Sequence, residues 1–201
     1  MKPLIVIPAA GASSRMDGRD KLIEPIGGVP LLRRQTQAAI QSGCPVMVCL
    51  PVKHGPRHEA IGSLNVTSIN VRDAAEGLGA TLRTAALFAA RHAPDRHLMI
   101  LLPDVPGIGP FDIKSVISAF DAAGGDTPTR ASDPENRPGT PLILPTRKVP
   151  ALTELTGDDG GKSILRDETV QLVQLSDNRA TTDLDTPEEW RAWRADNNIQ
   201  N

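Results

Sequence analysis

The hydrophobic positions of this chain follow two alternating patterns. Short apolar runs of strand length recur at Leu4–Ile7, Val46–Leu50, Val66–Val71 and Leu98–Leu102, and such runs suit strands covered on both faces. Elsewhere the apolar spacing changes to three and four. Leu78, Leu82, Ala85 and Ala89 make one stripe of this kind, and Ile113, Val116, Ile117 and Phe120 make another, as an amphipathic helix requires. Strands alternating with helices predict an α/β fold of Rossmann-like type, a mostly parallel sheet with helices on both faces.

After Phe120 the pattern breaks into a polar stretch running from Gly124 to Pro141. Leu142–Leu144 then reads as a strand. Paired with Thr127–Ala131 it predicts a small antiparallel flap, turned at Asp133-Pro134-Glu135-Asn136. Helical segments are expected near Thr146–Leu155 and Gly161–Asp167, and a strand at Val170–Leu175. Thr186-Pro187-Glu188-Glu189 begins a last helix, with a cap residue, a proline at the first helical position and a glutamate to complete a capping box. No repeat or long linker interrupts the pattern, so residues 1–201 are expected to form one domain.

Composition narrows the function classes. Hydrophobic residues at 39% and charged residues at 23% are ordinary for a globular chain. Lys and Arg number 22 against 24 Asp and Glu, a net charge of −2, which gives no broad basic footprint for nucleic acid or an anionic membrane. With 3 Phe, 2 Trp and no Tyr, a stacking platform for single-stranded nucleic acid is absent as well. No apolar run approaches the roughly eighteen residues of a membrane span. The apolar start, bracketed by Pro3 and Pro8, reads as a buried strand rather than a secretion signal. Cys44 and Cys49 lack metal-ligand spacing and suggest no disulfide framework, so a cytoplasmic location is expected.

In open parallel sheets ligands bind beyond the carboxyl ends of the strands, which directs attention to the loops there. The first runs from Ala9 and Ala10 through Gly11, Ala12, Ser13, Ser14, Arg15, Met16, Asp17, Gly18, Arg19 and Asp20 to Lys21. Its small residues allow close approach of backbone amides to an anion, and Arg15 and Lys21 add positive charge, the makings of a phosphate cradle. It matches neither standard template: the dinucleotide fingerprint needs glycine at Ser13 and Met16, and a Walker loop needs it at Met16. The second loop, Leu102-Pro103-Asp104-Val105-Pro106-Gly107, puts one carboxylate at the end of a very apolar strand. That placement suits Mg²⁺, and equally a turn or helix cap. In the third, Asp183-Leu184-Asp185-Thr186, two carboxylates precede a helix N-terminus, where the helix dipole alone would favour them.

Two decoys fall away. Gly161-Lys162-Ser163 ends as a Walker loop does, but Thr156 stands where glycine is required and the preceding segment reads as helix. His54 and His58 have the spacing of a zinc pair, yet Gly55-Pro56 lies between them and no third ligand is apparent. Their segment, Pro51–His58, follows the second strand and is placed to contact a nucleobase.

Together these loops resemble the nucleotidyltransferases that act on the molybdenum cofactor. The family's A-A-G-x-S-x-R-M loop is matched by Ala9–Met16 and closed by Lys21-Leu22; its G-M-x-x-S-L by Gly77–Leu82, with Thr81 for serine. Its D-M-P is matched by Asp104-Val105-Pro106, its G-D-x-G-A-R by Gly157–Lys162, and its D-I-D-T-P-E-D by Asp183–Glu189. The motifs occur in the family order across nearly the whole chain. The resemblance implies Mg²⁺-dependent transfer of a nucleotidyl group from a nucleoside triphosphate to the phosphate of a molybdopterin-type acceptor, with pyrophosphate released and a molybdenum enzyme as the eventual recipient. It implies Arg15, Lys21 and Asp104 as catalytic residues and Asp104 with Asp185 as metal ligands. Nucleotide contacts would come from Ala9 through Arg15, Lys21, Pro51, Gly77 and Thr81, and acceptor contacts from Thr140, Asp158 and Lys162.

Ala10, where guanylyl enzymes carry a second glycine, favours CTP. The Arg15–Lys21 spacing matches the guanylyl motif R-M-G-G-x-D-K and leaves GTP open as the second choice. Also left open are a sugar or polyol phosphate acceptor, and a non-catalytic protein that delivers nucleotide or cofactor. Three departures stand out: Asp17 replaces a glycine near the expected phosphates, Thr140 replaces the histidine of G-H-P, and Lys162 replaces the family's planar arginine.

Overall fold

The computed structural model describes residues 1–199. Its strands are β1 (Leu4–Pro8), β2 (Pro25–Ile26), β3 (Val29–Pro30), β4 (Val46–Pro51), β5 (Thr67–Val71), β6 (Leu98–Ile100), β7 (Thr129–Ser132), β8 (Pro138–Leu144) and β9 (Gln171–Gln174). The helices are α1 (Leu31–Gln41), α2 (Pro56–Ile61), α3 (Leu78–His92), α4 (Pro110–Ala122) and α5 (Pro187–Asp196), with short 3-10 helices at Ala74–Glu76, Thr146–Glu154 and Ser163–Leu165. Seven strands form one sheet in the order β5-β4-β1-β6-β8-β7-β9, and β2 and β3 form a separate two-stranded ribbon.

The parallel part is β5, β4, β1 and β6, and β8 joins β6 antiparallel. Alternation along β1 sorts the core. Ile5 and Ile7 pack on one face beneath α1, α4 and Trp190 of α5, and Leu4 and Val6 pack on the other beneath α3 and the 3-10 helix at Thr146–Glu154. The chain leaves β1 for β4 and β5 on one side and returns to β6 on the other. This reversal of strand order opens a crevice past the carboxyl ends of β1 and β6. The loops carrying Gly11 and Asp104 both emerge there.

Several expectations are refined. The antiparallel pair β7–β8 is present with its turn at Asp133–Asn136, and it lies within the main sheet, where β9 extends it. The Val66–Val71 run is an edge strand with only Val71 buried, not one covered on both faces. The strand expected to reach Leu102 ends at Ile100. The segment at Thr146–Glu154 is 3-10 rather than α because Pro150 lies inside it and has no amide hydrogen to donate. Helix α1 was not signalled by the apolar spacing, because two of its buried residues are polar, Gln35 and Thr36. Thr36 solves its own burial by donating its hydroxyl to the Leu32 carbonyl at 2.7 Å. The segment after β4 contains α2, started by Pro56 at its first position. At the chain's end Thr186 caps α5 as expected, accepting from the Glu189 amide at 3.3 Å.

Candidate active site

The loop after β1 is pinned from below by one arginine. Arg57, on α2, is buried. Its Nη1 donates to the carbonyls of Ala9 and Gly11, both at 2.7 Å. Its Nε and Nη2 grip the Asp20 carboxylate at 2.6 and 2.8 Å, and Nη2 also reaches Ser13 Oγ at 3.2 Å. Ser13 Oγ donates to Asp20 at 3.1 Å and accepts from the Lys21 amide at 3.1 Å. Met16, fully buried, anchors the middle of the loop in the core. Burial works to raise the Asp20 pKa, but the hydrogen bond and charge of Arg57 outweigh it and hold the carboxyl below the usual range. The loop is therefore a built structure with its carbonyls turned toward Arg57, which suits amides that must face an anion.

Lys21 lies at the end of this loop, and its ammonium bridges two carboxylates. It donates to Asp104 Oδ2 at 2.6 Å and to Asp185 Oδ1 at 2.5 Å; Arg15 meets the other Asp185 oxygen at 2.7 Å. The convergence has a backbone cause: the Leu184 amide donates to the Asp104 carbonyl at 3.0 Å, stitching the loop after β6 to the approach of α5. Glu189 completes the capping box and also accepts from the Asp185 amide at 2.7 Å, which orients that residue. Burial opposes the Lys21 charge, yet Asp104 and Asp185 together raise its pKa. For Asp185, burial raises and Lys21 and Arg15 lower, with the cations prevailing. Asp183, desolvated and facing the charges of Asp185 and Asp104, has its pKa raised.

Two basins meet over the loop. A cleft of about 440 Å³ is bounded by Gly11, Ala12, Ser14, Arg15, Lys21, Gly77, Thr81, Asp104 and Asp158. A broader and more apolar basin of about 530 Å³ is bounded by Ala10, Pro51, Lys53, His54 and His58. They share Gly11, Ala12, Ala74 and Ala75. The polar cleft brings Arg15 and Lys21 together with Asp104 and Asp158 beside Gly11 and Ala12, and the second basin is walled mainly by apolar groups. Ala9 and Ser13 line neither; they face Arg57 and hold the loop in place. Asp17 is exposed, outside both basins, and takes a positive φ of 51°.

The residues implied for the acceptor also lie together. Thr140, Asp158 and Lys162 line a cleft of about 170 Å³ that shares Leu78, Leu102 and Asp158 with the polar cleft. Asp158 packs so closely on Gly77 that a Cβ there would lie 2.3 Å from its carboxylate. The Thr140 hydroxyl accepts from the Leu102 amide at 3.1 Å and is buried, a structural use at the cleft wall. Arg57 and Asp20 are the functional residues the sequence pattern missed. The motif spacing gave Asp20 a position without a role, and nothing in the Pro- and His-rich segment singled out Arg57.

Among the described residues, no three His, Cys, Asp or Glu side chains gather as a self-sufficient metal cage. Two carboxylates still suit a hard cation that keeps waters and substrate phosphates in its shell. Asp104 Oδ1 is buried and has no protein partner, so it retains lone pairs for such an ion. The residues fit a divalent cation on these grounds.

This fold and site define a nucleotide-handling α/β enzyme. The family model of the MobA-like NTP transferase domain matches residues 5–175; the chain belongs to that family and is a nucleotidyltransferase. Among curated proteins no sequence matches it. Solved structures of the same architecture include the following three. One is Rv0371c from Mycobacterium tuberculosis H37Rv in complex with manganese, 20% identical over 96% of this chain and 97% of that one, with a TM-score of 0.76. Another is a nucleotidyl transferase from Methanothermobacter thermautotrophicus, 19% identical over 97% of both chains, TM-score 0.77. A third is CMP:2-keto-3-deoxy-manno-octonic acid synthetase complexed with CTP, 17% identical over 98% of this chain and 100% of that one, TM-score 0.74. At these identities the likeness speaks for the fold. No helix among the described residues is long and apolar enough to cross a membrane.

Proposed function

We propose that this chain is a molybdenum cofactor cytidylyltransferase, transferring the cytidylyl group of CTP to the phosphate of a molybdopterin-type acceptor. The observation that carries nucleotidyl transfer to a particular site is the meeting of Lys21, Asp104 and Asp185 at the mouth of the Gly11–Ser14 loop. The base preference rests on Ala10, which borders the apolar basin, and the CTP-bound relative adds support. The manganese-bound relative supports a divalent metal, which we assign as Mg²⁺ in the working enzyme. The whole chain acts as one domain in a reducing cytoplasm, where its two buried free cysteines stay thiols, and hands its product to a molybdenum enzyme.

In this mechanism the amides of Gly11–Ser14, with Arg15 and Lys21, bind the triphosphate. Asp104 and Asp185 would hold a divalent cation, which would supply charge screening and Lewis acidity. Lys21 lines the polar cleft and presents its ammonium to the triphosphate. An oxygen of the acceptor phosphate forms a bond to the α-phosphorus, the α–β bridging bond breaks, and its electron pair leaves with pyrophosphate. A phosphate monoester is already largely dianionic at neutral pH, its second pKa being about 6. No general base is needed, which makes Thr140 acceptable where relatives carry histidine. The protein's work is alignment and screening of like charges.

The test is thermal shift with CTP, GTP, ATP and UTP, each with and without Mg²⁺, followed by pyrophosphate release with the molybdopterin acceptor. A ligand at a hundred times its Kd stabilises by about 2.7 kcal/mol, enough to move Tm by several degrees. A Mg²⁺-dependent shift with CTP alone, and pyrophosphate release, is expected. A shift with GTP alone would reverse the base assignment in favour of the Arg15–Lys21 spacing. Binding without pyrophosphate release from any acceptor would make the chain a delivery protein.

A further inference from the structure

A separate basic pocket lies beyond the acceptor cleft. It has a volume of about 320 Å³ and sets Arg130, Lys162 and Arg166 around an apolar floor of Leu165, Val170 and Leu172. Among the described residues, no carboxylate lies within ion-pair distance of any of the three cations. The contrast with their surroundings is sharp, since the nearby Arg137, Arg147 and Lys148 all hold carboxylates. Arg130 is half-buried on β7, and its Nε donates to the Gly139 carbonyl across the β7–β8 pair. That bond fixes the guanidinium plane while both Nη groups remain without a protein acceptor among the described residues. Arg130 is partly desolvated, and Lys162 and Arg166 are exposed beside it, so an anion entering the pocket would meet three cationic donors, one of them already stripped of part of its water.

The pocket also has an address. Arg130 and Lys162 line both this pocket and the 170 Å³ acceptor cleft, and that cleft shares Leu78, Leu102 and Asp158 with the triphosphate cleft. A ligand in the acceptor cleft over Leu78 and Leu102 would therefore have Arg130, Lys162 and Arg166 beside it. We propose that this pocket binds an oxyanion, a phosphate or a carboxylate, next to the acceptor cleft. The anion pocket stands independently of the nucleotidyl-transfer reading.

The experiment is an NMR titration of the ¹⁵N-labelled full chain with inorganic phosphate, reading the Arg130 Nε–H and the amides of Lys162 to Arg166. Saturable shifts at these positions are expected. The double variant K162Q/R166Q should weaken them by about tenfold, the value of roughly one charged hydrogen bond, with Arg130 left in place to keep its bond to Gly139. In the same variant the response of Gly11–Ser14 to CTP should be unchanged. Acetate as a second titrant separates the sources: a response to phosphate alone assigns a phosphate group, and a response to both admits a carboxylate. No saturable shift in the natural protein, or an undiminished one in the double variant, overturns the proposal. If CTP fails to perturb Gly11–Ser14 in the natural protein, the nucleotidyl-transfer assignment falls while the phosphate result stands by itself.

Discussion

Arg57 and Asp20 face each other in a two-pronged ion pair, Nε to Oδ2 at 2.6 Å and Nη2 to Oδ1 at 2.8 Å, across 37 positions of sequence. The same guanidinium holds the carbonyls of Ala9 and Gly11. One side chain thus fixes both ends of the Ala9–Lys21 loop and pairs with its Asp20 carboxylate. A loop built this way has already met much of the ordering cost of binding a nucleotide.

Arg57→Leu should therefore act on binding and stability together. It leaves two inward carbonyls and Asp20 unpaired, at a cost of about 2–3 kcal/mol, which for a chain of this size lowers Tm by roughly 5–10 °C. The KM for nucleotide should rise about tenfold, which corresponds to about 1.4 kcal/mol of lost prearrangement. Arg57→Lys should recover little, because an ammonium cannot bridge Asp20 and the two carbonyls at once. Calorimetry and steady-state kinetics check both effects. A lysine variant indistinguishable from the natural protein would show that charge, not the fork, is what matters.

Lys21 and the carboxylates it bridges should respond in opposite senses. Lys21→Met strips the cation from between Asp104 and Asp185, so Mn²⁺ affinity should rise severalfold, since the ion no longer competes with an ammonium. Turnover should nonetheless fall by about 10²–10³, the usual loss for a donor that stabilises developing charge. Asp104→Asn should lose Mn²⁺ affinity and turnover alike, with Tm near that of the natural protein. Titration calorimetry with Mn²⁺ separates the two. Equal metal affinity in all three proteins would remove Asp104 from the metal site.

Much of this site could be read in the sequence, and what could not has physical reasons. The cap at Thr186 and Glu189 is local chemistry and is written in four consecutive residues. Asp104 and Asp185 could each be placed at the end of an element. Their meeting depends on the backbone bond from Leu184 to Asp104, which no local pattern encodes. Helix α1 escaped because Gln35 and Thr36 face the core, so its buried stripe does not look apolar. The exposure of β5 follows from its place at the sheet edge, a property of topology rather than composition. Arg57 escaped because its value lies in carbonyls and a carboxylate supplied by a distant loop.

Acid should loosen the β7–β8 turn through Asp133. This buried carboxylate accepts from the amides of Glu135 and Arg137 at 3.1 and 2.8 Å, from Arg137 Nε at 2.5 Å, and from the Thr181 hydroxyl at 3.1 Å. Burial pushes its pKa up, but these donors, those of Arg137 foremost, outweigh burial and bring it below the ordinary 3.8. A lowered folded pKa means that the stabilisation is complete above the unfolded value and is lost as pH falls through the folded one. Tm should hold steady down to about pH 5 and drop below about pH 4. Asp133→Asn should lower Tm at neutral pH and make the acid drop shallower. An acid drop of unchanged depth in that variant would move its origin to other carboxylates, such as Asp20.

Gly139 packs directly against the backbone of Ala180, in the segment that leads to Asp185. A Cβ at this position would lie 2.0 Å from the Ala180 carbonyl oxygen and 2.4 Å from its carbon, and the Thr140 amide donates to that same oxygen at 2.9 Å. Backbone on both sides cannot yield as a side chain tip would. Gly139→Ala should therefore force β8 and the Ala180 segment apart, at about 1–3 kcal/mol of overpacking. Since that segment leads through Leu184 to Asp185, the displacement should also weaken Mn²⁺ binding, linking a buried strand glycine to the proposed metal site. Gly55→Ala is the control, because nothing lies within 4 Å of its Cβ position and its extended backbone, φ −179°, admits any residue. Calorimetry and Mn²⁺ titration on both variants decide the matter. A Gly139→Ala protein as stable as Gly55→Ala, with undiminished Mn²⁺ affinity, would show that the Ala180 segment can move without carrying Asp185 with it.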